Sequence, residues 1–228
     1  MNICMIPARG GSKRIPRKNI KVFCGQPIIA YPIKAALDAQ IFDKVIVSTD
    51  DAEIAELSKN LGAEVPFMRP PELSDDYATT HQVINHTLTW LSQNSVRPKT
   101  LCCIYPATPF VTSNMLKNAH EKLIESNHDY VFPVVEFESA VQRALKINPN
   151  NSLEPVFPEY QNTRTQDLQA FYHDAGQFYF GKSTAFLANL SIFSNASPII
   201  MSRNHVQDID NPEDWDRAEL LFKTIKRG

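Results

Sequence analysis

Short apolar runs along this chain alternate with longer segments whose apolar residues recur every three or four positions. Residues 2–6 form an apolar run ended by Pro7, as expected of a parallel strand buried on both faces. Residues 27–40 predict a helix, with Pro27 near its first turn and Pro32 either early in it or at a kink. The β-branched run 44–49 predicts a strand. Asp50 or Asp51 can cap the helix that follows, in which Ile54, Leu57 and Leu61 share a face and which Gly62 ends. Val83, Ile84, Thr87, Leu88 and Leu91 mark another helix, and so do Met115, Leu116, Ala119 and Leu123. Strands are predicted at 101–105 and 130–135. The last helix has Asn211 at its N-cap, Pro212 in its first turn and Glu213 and Asp214 to complement its dipole. Trp215, Ala218, Phe222 and Ile225 are its expected buried stripe.

Strand and helix in this order predict a single α/β domain over residues 1–228, with a mostly parallel sheet covered on both faces. Residues from about 136 to 173 break the rhythm. Pro149, Pro155, Pro158 and the polar run 148–152 read as an inserted arm, not a second domain.

Composition narrows the class. An apolar fraction of 43% supports a sizeable core. No apolar run reaches the roughly 18–20 residues that a spanning helix needs. The apolar start is too short for a signal peptide, so the expectation is a cytoplasmic protein without a membrane partner. Cys4, Cys24, Cys102 and Cys103 show no C-x-x-C spacing, and three of them fall in predicted strands as small buried hydrophobes. Charge sharpens the picture most. The net charge is −2, yet no Asp or Glu precedes Asp38, while seven cations do, from Arg9 to Lys34. A local anion-attracting segment thus sits on an otherwise acidic body. That body would repel a long polyanion, so nucleic acid is not the expected partner.

The cations gather in a loop after the first strand. Ligands of open α/β sheets bind beyond the carboxyl ends of strands. There Gly10, Gly11 and Ser12 can turn amides toward a phosphate, with Arg9 and Lys13 to neutralise it. Neither G-x-x-x-x-G-K nor G-x-G-x-x-G is present. Later, Asp208 and Asp210 stand two residues apart and share a face if extended. Their spacing fits equally a carboxylate pair for Mg2+ and residues that precede and cap the final helix.

The loop resembles the opening of the bacterial CMP-sialic acid synthetases, nucleotidyltransferases that join CTP to an acidic nine-carbon sugar. Ile6-Pro-Ala-Arg-Gly-Gly-Ser-Lys13 matches their pattern without a gap, and Lys18-Asn19 follows. The resemblance continues in order at Val47-Ser-Thr-Asp-Asp51, Arg69-Pro-Pro-Glu-Leu-Ser-Asp-Asp76, Pro106-Ala-Thr-Pro109 and Gln207-Asp-Ile-Asp210. It implies a three-layer nucleotidyltransferase (Rossmann-like) fold, Asp208 and Asp210 as ligands of a catalytic Mg2+, and a homodimer built through the arm, which reaches toward the partner's site. It places Ala8, Arg9, Gly10, Gly11, Ser12, Lys13, Asn19, Arg69 and Thr80 at the nucleotide. Read by themselves, Arg69 fits a surface ion pair and Thr80 a helix cap. Asp50 and Asp51 read better as caps than as catalysts. Arg14, Arg17, Lys18 and Lys21 are expected to shape the field without touching phosphate.

At the sugar end the chain departs from the common pattern. Tyr105 stands where a Gln usually precedes P-x-x-P, and the Arg often found after that motif is missing. Arg164 matches the position that faces the sugar carboxylate. Gln166 lies beside it, and Tyr179 matches an aromatic of the pocket. His173 adjoins the predicted sugar strand. With Asp174-Ala-Gly-Gln-Phe-Tyr-Phe-Gly181, these features look most like the pseudaminic acid cytidylyltransferases within the family. N-acetylneuraminate, legionaminate and Kdo are the rival sugars. A non-catalytic nucleotide-binding module is the rival of another class.

Overall fold

The structure, a computed structural model, describes residues 1–227. β1 (Asn2–Pro7) leads through a basic loop to a two-stranded hairpin of β2 (Val22–Phe23) and β3 (Gln26–Pro27). Then come α1 (Ala30–Ala39), β4 (Lys44–Ser48), α2 (Ala52–Asn60), α3 (Thr80–Gln93), β5 (Thr100–Ile104) and α4 (Ser113–Glu125). β6 (Tyr130–Glu136) precedes the arm, whose β7 (Leu145–Ile147) and β8 (Leu153–Pro155) pair only with each other. β9 (Tyr172–Asp174), β10 (Phe178–Lys182), α5 (Ser183–Leu187), β11 (Ala196–Met201) and α6 (Pro212–Arg227) complete the chain.

The predicted helix over 27–40 starts three residues late. Pro27 lies in the β2–β3 hairpin, whose turn places Cys24 and Gly25 at positive φ. Pro32 is the third residue of α1, where its missing N–H costs no helical bond.

The main sheet runs β11-β6-β10-β5-β1-β4, and its ladders are parallel except around β10 and β9. β10 is antiparallel to both of its neighbours, β5 and β6. Its first residue, Phe178, therefore sits opposite Ile104 at the carboxyl end of β5. β9 pairs with the far half of β6 along the edge that β10 takes up next.

Alternation along the strands feeds two cores. Cys4, Ile6, Cys102, Ile104, Val131, Phe178 and Phe180 face α1, α2 and α4. Met5, Leu101, Cys103 and Tyr130 face α3 and α5. This is the expected three-layer arrangement, and Cys4, Cys102 and Cys103 are buried thiols within it. Burial pushes their thiols up, so they stay protonated and inert. A third cluster joins α6 to the hairpin through Trp215, Ala218, Phe222, Phe23 and Ile28. Ile225 leaves the expected stripe and is exposed. No helix among the described residues is long and apolar enough to cross a membrane.

A candidate active site at the carboxyl ends of the strands

A cleft of about 670 Å³ opens where β1 and β5 end and where the turn before β10 begins. The loop after β1 forms one wall. It is pinned from behind. The Gly10 amide donates to Asp50 Oδ1 at 2.9 Å, and Asn19 Nδ2 donates to the Arg9 carbonyl at 2.9 Å. Arg17, in the left-handed region, pairs with Asp51 and Glu53. A Cβ on Gly10 would meet Asp51 Oδ2 at 2.6 Å, so only glycine lets the loop lie this close to α2. Asp51 is the N-cap, accepting the Glu53 and Ile54 amides, while Asp50 holds the loop.

Arg9, Ser12 and Lys13 line the cleft; Ala8, Gly10 and Gly11 do not. The Ser12 amide donates to the Gly10 carbonyl, so two of the expected cradle amides are engaged within the protein. Arg9 and Lys13 both pair with Asp76, and Arg9 also donates to the Asp75 carbonyl at 2.7 Å. Arg69 is not on the surface. Its side chain is 3% exposed, donates to Ser74 Oγ and lies 3.8 Å from Asp50. Burial lowers its pKa from the ordinary value. Thr80 is not the cap either. Thr79 takes that place in a capping box with Gln82, and this frees the Thr80 hydroxyl to meet the Tyr105 hydroxyl at 3.0 Å.

Across the cleft lie Asp208 and Asp210. Neither carboxylate caps α6. Asn211 does, accepting the Asp214 amide at 2.9 Å, while Asp214 receives the Asp210 and Asn211 amides. Asp210 accepts from Arg14 at 2.9 Å. Lys18 emerges beside the pair. Its Nζ donates to the Ile209 carbonyl at 2.7 Å and stands 3.9 Å from Asp210. Desolvation lowers the Lys18 pKa, while the two aspartates oppose that shift. Desolvation at the cleft wall, then the charge of Asp210, push the Asp208 carboxyl up. A pair of hard oxygen ligands facing one cleft is a donor set that fits Mg2+. No group of three or more His, Cys, Asp or Glu suited to a metal occurs among the described residues, so water and phosphate would complete its shell.

Tyr105, Pro106, Ala107, Thr108, Gly176 and Gln177 form the remaining wall. The Tyr105 amide donates to the Gln177 carbonyl at 2.9 Å. Tyr179 does not line the cleft. It is buried behind Tyr105 with ring centroids 5.6 Å apart, and its hydroxyl donates to Asp174. Arg164 and Gln166 are on the exposed arm, away from the cleft of their own chain, and Arg164 pairs with Asp167 at 2.8 Å. His173 is exposed and its ring Nδ1 contacts the Asp174 carbonyl. The structure thus brings together Arg9, Ser12, Lys13, Asn19, Arg69, Thr80, Tyr105, Asp208 and Asp210, and leaves Arg164, Gln166 and Tyr179 outside. Lys18, expected to shape the field, lines the cleft beside Asp210, while Asp76, Asp174 and Gly176 were not singled out as site residues. The Lys18-Asn19 step and the Ser-Asp-Asp76 motif carried the signal for the first two.

A cationic loop at the end of the first parallel strand, facing paired carboxylates across a cleft, defines a nucleotide-handling α/β domain. The chain belongs to the cytidylyltransferases, because the sequence profile described as Cytidylyltransferase matches residues 3–211. A pseudaminic acid cytidylyltransferase of Campylobacter jejuni is 45% identical over 97% of this chain and 96% of its own length. The CMP-N,N'-diacetyllegionaminic acid synthase of Legionella pneumophila is 28% identical over 97% of this chain and 96% of its own. Among solved structures, CMP:2-keto-3-deoxy-manno-octonic acid synthetase complexed with CTP shares the fold. Its TM-score is 0.71 at 14% identity, with 98% of this chain and 99% of that one covered.

Proposed function

We propose that this chain joins CTP to pseudaminic acid, giving the CMP-sugar and pyrophosphate. The observation that carries this is the one cleft lined by Arg9, Lys13, Lys18, Asp208 and Asp210 together, in a chain 45% identical to a pseudaminic acid cytidylyltransferase. The sugar's anomeric hydroxyl would form the new bond to the α-phosphorus as the bond to the β-phosphate breaks. The protein's part is positioning and charge neutralisation. Arg9 and Lys13 hold the triphosphate after leaving Asp76. Arg69, Asn19 and Thr80 bound the nucleotide. Lys18 keeps positive charge beside the aspartates. Asp208 and Asp210 would hold Mg2+, which when bound polarises phosphate oxygens.

The wall of Tyr105, Gly176 and Gln177 is left for the sugar. Its main surface is a tyrosine ring whose hydroxyl Thr80 already engages. That suits a sugar with deoxygenated, acylated positions better than one whose hydroxyls need partners, and a site matched to one hydroxyl pattern rejects another strongly. Arg164 and Gln166 reach a sugar carboxylate only from the arm of a second copy, so the proposed working form is a homodimer, placed in the cytoplasm with its CTP.

The test supplies Mg2+ and CTP with pseudaminic acid or N-acetylneuraminate and follows pyrophosphate and CMP-sugar. Turnover with pseudaminic acid is expected to exceed the other by a hundredfold or more, on the order seen when a site's polar groups lose their partners. Pyrophosphate released equally without sugar would refute the reading.

A further inference from the structure

Between β9 and β10 the chain leaves the ladder for residues 175–177 and returns on the far side of one carboxylate. Asp174 Oδ1 accepts the Gly176 amide at 2.8 Å, which fixes Gly176 at φ +61 against the cleft. Its Oδ2 accepts the Tyr179 hydroxyl. Tyr179 in turn is clamped between Phe132, 5.7 Å away, and Tyr105, which it meets edge-on at 78°. Tyr105 is held at its hydroxyl by Thr80, at its amide by the Gln177 carbonyl and at its carbonyl by the Thr108 hydroxyl.

Packing alone does not account for the pair. Phe178 and Phe180, on either side of Tyr179, fill the sheet as bare rings at 0% exposure. A phenyl ring at position 179 would pack on Phe132 as well. Instead a hydroxyl is buried, and a half-buried carboxylate that pairs with no cation among the described residues is spent on it. Withdrawing a carboxylate from water is costly unless strong hydrogen bonds replace its shell. Both of its oxygens are used on groups that shape the same wall of the cleft.

We infer that Asp174 is a positioning residue for the sugar substrate: by holding Gly176 with one oxygen and Tyr179 with the other, it sets the turn 175–177 and the Tyr105 ring as one rigid surface. Tyr179 acts through Tyr105 and does not touch the sugar. This inference rests on the proposed cytidylyl transfer to an acidic sugar.

The experiment compares wild type, Asp174→Asn, Tyr179→Phe and the double variant, measuring kcat, KM for CTP, KM for the sugar and Tm. The wild-type arm tests the function: if no acidic sugar is turned over, that reading falls by itself. With the sugar that wild type accepts, each single variant is expected to raise the sugar KM about tenfold, the size of one charge-assisted hydrogen bond. The CTP KM should stay within about twofold. The double variant should be no worse than the poorer single one, because both remove the same bond. Tyr179→Phe keeps the buried ring, so it remains informative if Asp174→Asn folds poorly. A merely structural role would lower Tm and the active fraction while leaving the sugar KM alone. That outcome, equal rises in both KM values, or multiplying effects in the double variant would overturn the inference.

Discussion

Asp51 receives the Arg17 guanidinium and the Glu53 and Ile54 amides, so one carboxylate joins the basic loop after β1 to the start of α2. The Arg17 bond holds its pKa below the ordinary carboxylate range, against an opposing push from burial. A depressed folded value means that its stabilisation is present above the unfolded value of about 3.9 and is lost as pH falls through the folded one. Urea midpoints of wild type and Asp51→Asn are therefore expected to differ most near pH 6 and to converge toward pH 3. A gap independent of pH would show that the charge is not used. Gly181 makes the complementary case in the core. A Cβ there would stand 2.5 Å from Tyr130 Cδ1 and 2.8 Å from Phe186 Cε2, and the Tyr130 hydroxyl is tied to the Leu190 carbonyl. Gly181→Ala should cost about 1–3 kcal/mol by overpacking, read as a fall of several degrees in Tm. The cap at Asp51 was legible from its place before an apolar stripe. Gly181 was not, because the rings that fill its space come from Tyr130 and Phe186, the first of them fifty-one positions away.

Among elements, those with strong periodicity were legible. β1, β5 and β6 are apolar runs, and α3 and α4 show their stripes in the sequence. Failures fell where local chemistry competed with pattern. The apolar stretch around Ile28 and Ile29 drew the predicted α1 back over Pro27, although Cys24 and Gly25 are the turn of a hairpin. Thr79-Thr80-His81-Gln82 contains a capping box that begins one residue earlier than the cap first considered, and Thr80 was thereby freed for the cleft. The proposed dimer would be built at the arm, where Leu145, Ile147 and Leu153 on β7 and β8 are 58%, 72% and 65% exposed. Ile147→Glu with Leu153→Glu is expected to halve the mass by light scattering, leave Tm of the main sheet little changed, and raise the sugar KM if Arg164 serves a neighbouring cleft. An unchanged mass would remove the arm from the interface.

At the scale of the whole molecule, the polarised charge of the sequence becomes a geometry: the loop cations and the Asp208 and Asp210 pair line one cleft, with Arg14 and Lys18 reaching Asp210. Affinity for a triphosphate should therefore be screened by salt. Calorimetry between 50 and 300 mM NaCl is expected to show the Kd for CTP rising several-fold, as the Debye length contracts across that range. A flat response would mean that hydrogen bonds, not charge, hold the nucleotide. The basic-loop wall of the cleft was legible because its residues are contiguous in sequence. Of the opposite wall Tyr105 itself was legible, but its junction with residues 175–177 was not, since β10 enters the sheet against the direction of its neighbours and carries the 174–177 turn to the end of β5. That placement also governs how the chain can be made. β10 lies between β5 and β6 yet is encoded after both and after the arm. During synthesis, β5 and β6 cannot be joined until residue 182 has left the ribosome. Until then the nascent chain carries open strand edges on β5 and on both sides of β6, beside apolar faces, the condition that invites mispairing.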